Sequence, residues 1–148
     1  MTTNDIPEAV SRPRLLGGRI LGGLLVAFLI FDAVAKVLLL QSVVEGSAAL
    51  GLPAYTTPYI GWLLLIITAI YVVPRTRILG AILLTGYLGG ATAVHVRADD
   101  GIFPIVFSVG FGVLIWTALV LRDPGLLRTI FGSTQLTGAR FDSPVFEE

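Results

Sequence analysis

The chain has 148 residues, room for one domain, with 55% hydrophobic residues, 14% charged residues and a formal net charge of zero. That charged share is far below the roughly 25% of soluble domains, and the neutral balance offers no basic footprint for nucleic acid. With no cysteine and a single histidine, the chain cannot by itself form a disulfide, a thiolate metal site, a thiol relay or a bis-histidine haem.

Met1 to Pro13 is polar, contains two prolines and reads as a flexible cytoplasmic tail. Arg12, Arg14 and Arg19 lead into the first apolar segment, Ile20 to Leu40. A signal peptide is the rival reading, but the run is long for a signal core and carries Asp32 and Lys36,. Its opening glycines include Gly18 and Gly22, spaced so that membrane helices can approach closely.

Gln41 to Pro58 reads as a loop with a short amphipathic piece around Val43 to Leu50. Tyr55, Tyr59 and Trp62 then form an aromatic belt at the entrance of the second segment, about 56–73. Pro74, Arg75 and Arg77 make a tight turn into the third, about 78–96. At roughly 100° per residue, Thr85, Thr92 and His95 fall within a quarter-turn, with Gly89 flanking them. Gly86, Gly90 and Ala93 form an adjoining smooth strip suited to helix contact. Arg97, Asp99, Asp100 and Gly101 make the next turn, and the fourth segment, about 102–121, tolerates Pro104 in its first turn,. Leu126 to Glu148 reads as a surface-lying stub and a tail.

In this four-span arrangement eight arginines fall on one side, and only Arg97 on the other. The positive-inside rule then places both termini in the cytoplasm. The predicted class is all-α, an integral membrane four-helix antiparallel bundle. Residues 1–19 are its N-terminal tail, 20–121 its membrane domain and 122–148 its C-terminal tail.

The ionisable groups gather toward the outer side of such a bundle. Asp32 and Lys36 are four apart with the acid first, the favourable order for a pair. Either they neutralise each other, with Lys36 reaching outward, or they line a polar pocket with His95. His95 reads either as an interfacial residue bonded to a neighbour or as a hydrogen-bonding group for a ligand such as a quinone carbonyl. Arg97 is a rim anchor or an anion clamp, and Thr85 and Thr92 bond within the helix or to a neighbour. The candidate ligand-binding set is therefore Asp32, Lys36, Thr85, Thr92, His95 and Arg97. The packing set is Gly18, Gly22, Gly86, Gly89 and Gly90. No nucleophile–base or metal constellation appears, so no catalytic residue is assigned.

Several stretches resemble a known family: Phe31-Asp32-Ala33-Val34-Ala35-Lys36, Val73 to Ala81, Leu84 to Ala91 with His95 and Arg97, then Trp116 and Leu121-Arg122-Asp123-Pro124. Together they resemble the DoxX-like family of small bacterial membrane proteins, over about Arg19 to Pro124. The resemblance implies a four-helix protein of the bacterial inner membrane. It implies no catalytic residue set, although some relatives are named as subunits of quinone-linked oxidases. The leading expectation is a quinone- or lipid-associated subunit of a membrane redox system, with redox-protein partners or a second copy of itself. A membrane scaffold is the alternative. A proton-coupled transporter using Asp32 ranks third, because the broken helices of transport sites are absent.

Overall fold

The structure is a computed structural model that describes residues 12–123, 125 and 126. The tail expected before residue 12, and the C-terminal stretch expected after Leu126, lie outside the described residues. All regular structure among the described residues is helical. The helices are α1 (Arg12–Val37), α2 (Gln41–Ala49), α3 (Thr56–Val72), α4 (Arg77–Ala98) and α5 (Ile102–Arg122). By length and composition α1, α4 and α5 can each cross a membrane, while α3 is apolar but shorter.

α1 starts at Arg12 rather than Ile20, since Pro13 sits in a first turn where its missing N–H is no loss,. It stops at Val37 rather than Leu40, because Leu39 adopts a left-handed φ of 53°. The Leu40 and Leu39 amides then donate back to Ala35 and Lys36 at 3.1 and 3.3 Å, which satisfies carbonyls the helix end would leave open,. The same closure ends α4 at Asp99 (φ 51°) and α2 at Gly51 (φ 72°). The expected short piece near Val43–Leu50 is α2, which buries none of its own residues.

Four helices pack as a ring, α1 on α3, α3 on α4, α4 on α5 and α5 on α1. The ring has a dense half and a loose half. Leu29, Leu64, Tyr71, Leu84, Ile115 and Leu119 fill the dense half, where the Tyr71 hydroxyl reaches the Ile115 carbonyl at 3.4 Å. Leu126, expected on the surface, is buried in the same cluster. A fan of aromatic rings, Phe28, Phe107 and Phe111, marks the boundary, with centroids 5.0–5.7 Å apart.

Glycine positions decide where the helices touch. A Cβ on Gly61 of α3 would stand 2.8 Å from the Ala33 carbonyl oxygen of α1, and one on Gly80 of α4 would stand 2.5 Å from the Tyr71 backbone nitrogen of α3. Gly18 faces Leu121 and Arg122 of α5 just as tightly, and Gly22 accommodates the Arg122 guanidinium. Arg122 donates from Nε to the Gly18 carbonyl at 2.9 Å and from Nη2 to the Arg19 carbonyl at 3.2 Å. Gly86, Gly89 and Gly90 differ, since nothing lies within 4 Å of where a Cβ would be. Within this chain their smooth faces leave space instead of closing a contact.

Gly80→Ala is therefore expected to lower stability by about 1–3 kcal/mol through overpacking. Gly86→Ala should stay within about 0.5 kcal/mol of the unchanged protein. Thermal unfolding of both variants in the same detergent checks the contrast.

Candidate functional site

The loose half of the ring encloses a cavity of about 690 Å³. α1 contributes Asp32 and Lys36, α3 contributes Thr57 and Leu63, and α4 contributes Gly86, Tyr87, Gly90 and His95. Phe107, Ser108 and Phe111 line it from α5, Phe28 from α1, and Val43 and Ser47 of α2 border it together with Leu50 just beyond that helix. Leu63, Gly86 and Gly90 line the cavity and are also exposed, so it opens sideways between α3 and α4.

Asp32 and Lys36 form a direct intrahelical ion pair on the cavity wall. Their side chains keep 34% and 20% exposure, so the pair is screened from solvent but not sealed. An acid four residues before a base has the favourable order, and mutual neutralisation lets both occupy an apolar segment. The two sequence readings of this pair are compatible in space, since the neutralised pair also borders the pocket.

His95 joins them on the wall, but its Nδ1 lies 2.8 Å from Asp100 Oδ2 beyond the end of α4. The structure brings Asp32, Lys36 and His95 to one cavity. Arg97 stands apart from it and donates from Nη2 to the Leu50 carbonyl at 3.0 Å, which ties the end of α4 to the end of α2. Thr85 and Thr92 also lie elsewhere. They line a second cavity of about 610 Å³ between α4 and α5, with Gly89 and Trp116. Their hydroxyls donate to the Ala81 and Leu88 carbonyls at 2.8 and 2.9 Å, and Trp116 Nε1 donates to Thr85 Oγ1 at 3.0 Å. Leu88 and Ser108 border both cavities. The face that the sequence assigns to Thr85, Thr92 and His95 together is thus divided where α5 packs on α4.

Thr57 was not among the residues singled out from the sequence. It is 1% exposed, it lines the larger cavity, and its hydroxyl has no hydrogen-bond partner. Thr68, Thr85, Thr92 and Thr117, within the ring helices, each bond the carbonyl four residues back. For Thr57 that carbonyl belongs to Pro53, which already accepts the Thr56 amide at 2.9 Å and the Thr56 hydroxyl at 2.7 Å. An unsatisfied buried hydroxyl costs about 1–3 kcal/mol. Adjacent threonines at the start of a helix, competing for one carbonyl, are the sequence signal that could have identified it. Among the described residues no three His, Asp or Glu side chains come together to hold a metal.

If the ion pair is stabilising, Asp32→Leu and Lys36→Leu should each lower stability, and the double variant should lose less than their sum. A coupling energy of about 0.5–3 kcal/mol from this cycle, read by unfolding in detergent, is the expected result.

Comparison with known proteins adds one finding. A family model described as the DoxX-like family matches residues 20–118, which include α2, α3, α4 and every residue lining the larger cavity. No curated protein and no solved structure gives a match. The match spans most of the chain, and its helices are long and apolar; this is a membrane protein that belongs to the DoxX-like family.

Proposed function

We propose that this chain crosses the bacterial inner membrane four times as an antiparallel bundle, with both termini in the cytoplasm, and serves as a quinone- or lipid-associated subunit of a membrane redox system. One observation carries the reading. The larger cavity combines apolar walls with a neutralised charge pair and an unpartnered buried hydroxyl. At about 690 Å³ it falls in the size range of small-molecule sites, and it offers the few polar groups that orient a mostly apolar ligand,.

The distribution of basic and aromatic groups supports the topology. Arg122 lies on the start of α1, and Arg77 shares a small cleft with Pro74 and Asp123. Arg19, Arg77 and Arg122 therefore gather at one end, with Arg97 at the other, the arrangement the positive-inside rule favours,. Tyr55, Tyr59 and Phe103 at the Arg97 end are exposed, where an interfacial belt would hold them,. With 17 residues, α3 rises about 26 Å, at the short limit for a span,.

In this reading the chain holds the ligand, and electron transfer falls to partner proteins. Gentle extraction from the native membrane, followed by mass spectrometry of everything that accompanies the chain, tests this. A quinone retained by the unchanged protein and lost from both Asp32→Asn and His95→Ala is the expected result. A protein partner retained by all three without any small molecule would replace the reading with that of a scaffold.

A further inference from the structure

We infer that the larger cavity takes a neutral lipophile with a carbonyl head group, which accepts a hydrogen bond from Thr57 while its tail leaves between α3 and α4 over Gly86 and Gly90. The inference rests on the cavity being a ligand site, as proposed above, and specifies which chemistry it recognises.

The head group follows from which polar groups remain free. Lys36 is engaged by Asp32, so an anion finds no uncommitted cation there, and a cation would find its carboxylate already paired. His95 turns its Nδ1 to Asp100. Among the described residues Thr57 holds the one fully buried side-chain polar atom without a partner, because Thr56 has taken the Pro53 carbonyl. What that hydroxyl lacks is an acceptor for its proton. A ligand hydroxyl could also accept it, but would bring a second proton that must be passed on to Asp32, Tyr87 or Ser108 of the same wall,. A carbonyl satisfies Thr57 and brings no further donor.

The route of the tail follows from the bare strip on α4. Gly86 and Gly90 line the cavity with open space above them, opposite an exposed Leu63 on α3. A side chain at either glycine would narrow this slot. In a bilayer the slot faces lipid, so a lipophile can enter sideways without passing under α2.

The test uses the full chain in lipid nanodiscs with three probes of similar tail: decylbenzoquinone, undecyl methyl ketone and carbonyl-free decylbenzene. Thr57→Val keeps the shape and removes the hydroxyl. It should weaken both carbonyl probes about tenfold, the equivalent of one hydrogen bond, and leave decylbenzene unchanged. The ligand-free variant should melt no lower than the unchanged protein, which separates this result from a folding defect. Gly90→Leu should weaken all three probes, again without lowering the melting temperature. Equal binding of both carbonyl probes by Thr57→Val would overturn the inference and leave the quinone reading standing. Binding of the ketone but not of the quinone would uphold the carbonyl site and remove the quinone reading. An unchanged protein that binds neither carbonyl probe better than decylbenzene would overturn both.

Discussion

The structure depends on where its helices come close enough to exclude side chains. Gly61 lets α3 lie against the α1 backbone, and Gly80 lets α4 turn directly back onto α3. Gly18 and Gly22 let α5 end against the start of α1, with Arg122 bonded to the Gly18 and Arg19 carbonyls of that helix. In a bilayer no hydrophobic driving force separates helix from lipid, so this kind of close packing and interhelical bonding holds the helices together. The ring is drawn tight at these points and remains open beyond them. The cavity is the consequence of that uneven closure.

The same asymmetry distributes the polar groups. In the dense half they are spent on structure: Thr68 bonds its own helix and the Tyr71 hydroxyl reaches across to α5. In the loose half Asp32 and Lys36 neutralise each other on the wall, while the Thr57 hydroxyl is left over. Chain geometry leaves that remainder, because the Pro53 carbonyl in the turn before α3 is already taken by the Thr56 amide and hydroxyl. α2 borders the cavity, and Arg97 holds the chain just past its C-terminal end. A pocket with apolar walls, balanced charge and an unpartnered buried hydroxyl suits a neutral amphiphile better than an ion.

Much of this was legible in the sequence, and what was not has identifiable causes. The apolar runs located the long helices, and the four-residue spacing of Asp32 and Lys36 located their pair, because both are properties of a single helix. The Gly18 and Gly22 spacing marked a close approach, although the neighbour it admits includes an arginine side chain. The same spacing at Gly86 and Gly90 was read as a close approach too, yet nothing lies within 4 Å of where their Cβ atoms would be. Spacing alone cannot separate a glycine that is covered from one that is bare, since the difference lies in the tilt of the neighbouring helix. The split of Thr85 and Thr92 from His95 has the same origin: one helix face is shared between two neighbours. The end of α1 at Val37 depended on a leucine in a left-handed conformation, which hydropathy does not register.

The central claim is that the loose half holds an open, fillable cavity within the bilayer. Because the chain has no cysteine, a single Gly90→Cys variant can carry one nitroxide spin label in lipid vesicles. The account predicts a mobile label in contact with dissolved oxygen, which becomes immobile when decylbenzoquinone is added. A label already immobile and shielded from oxygen in the ligand-free protein would mean that α3 and α4 close on each other, and would contradict the account.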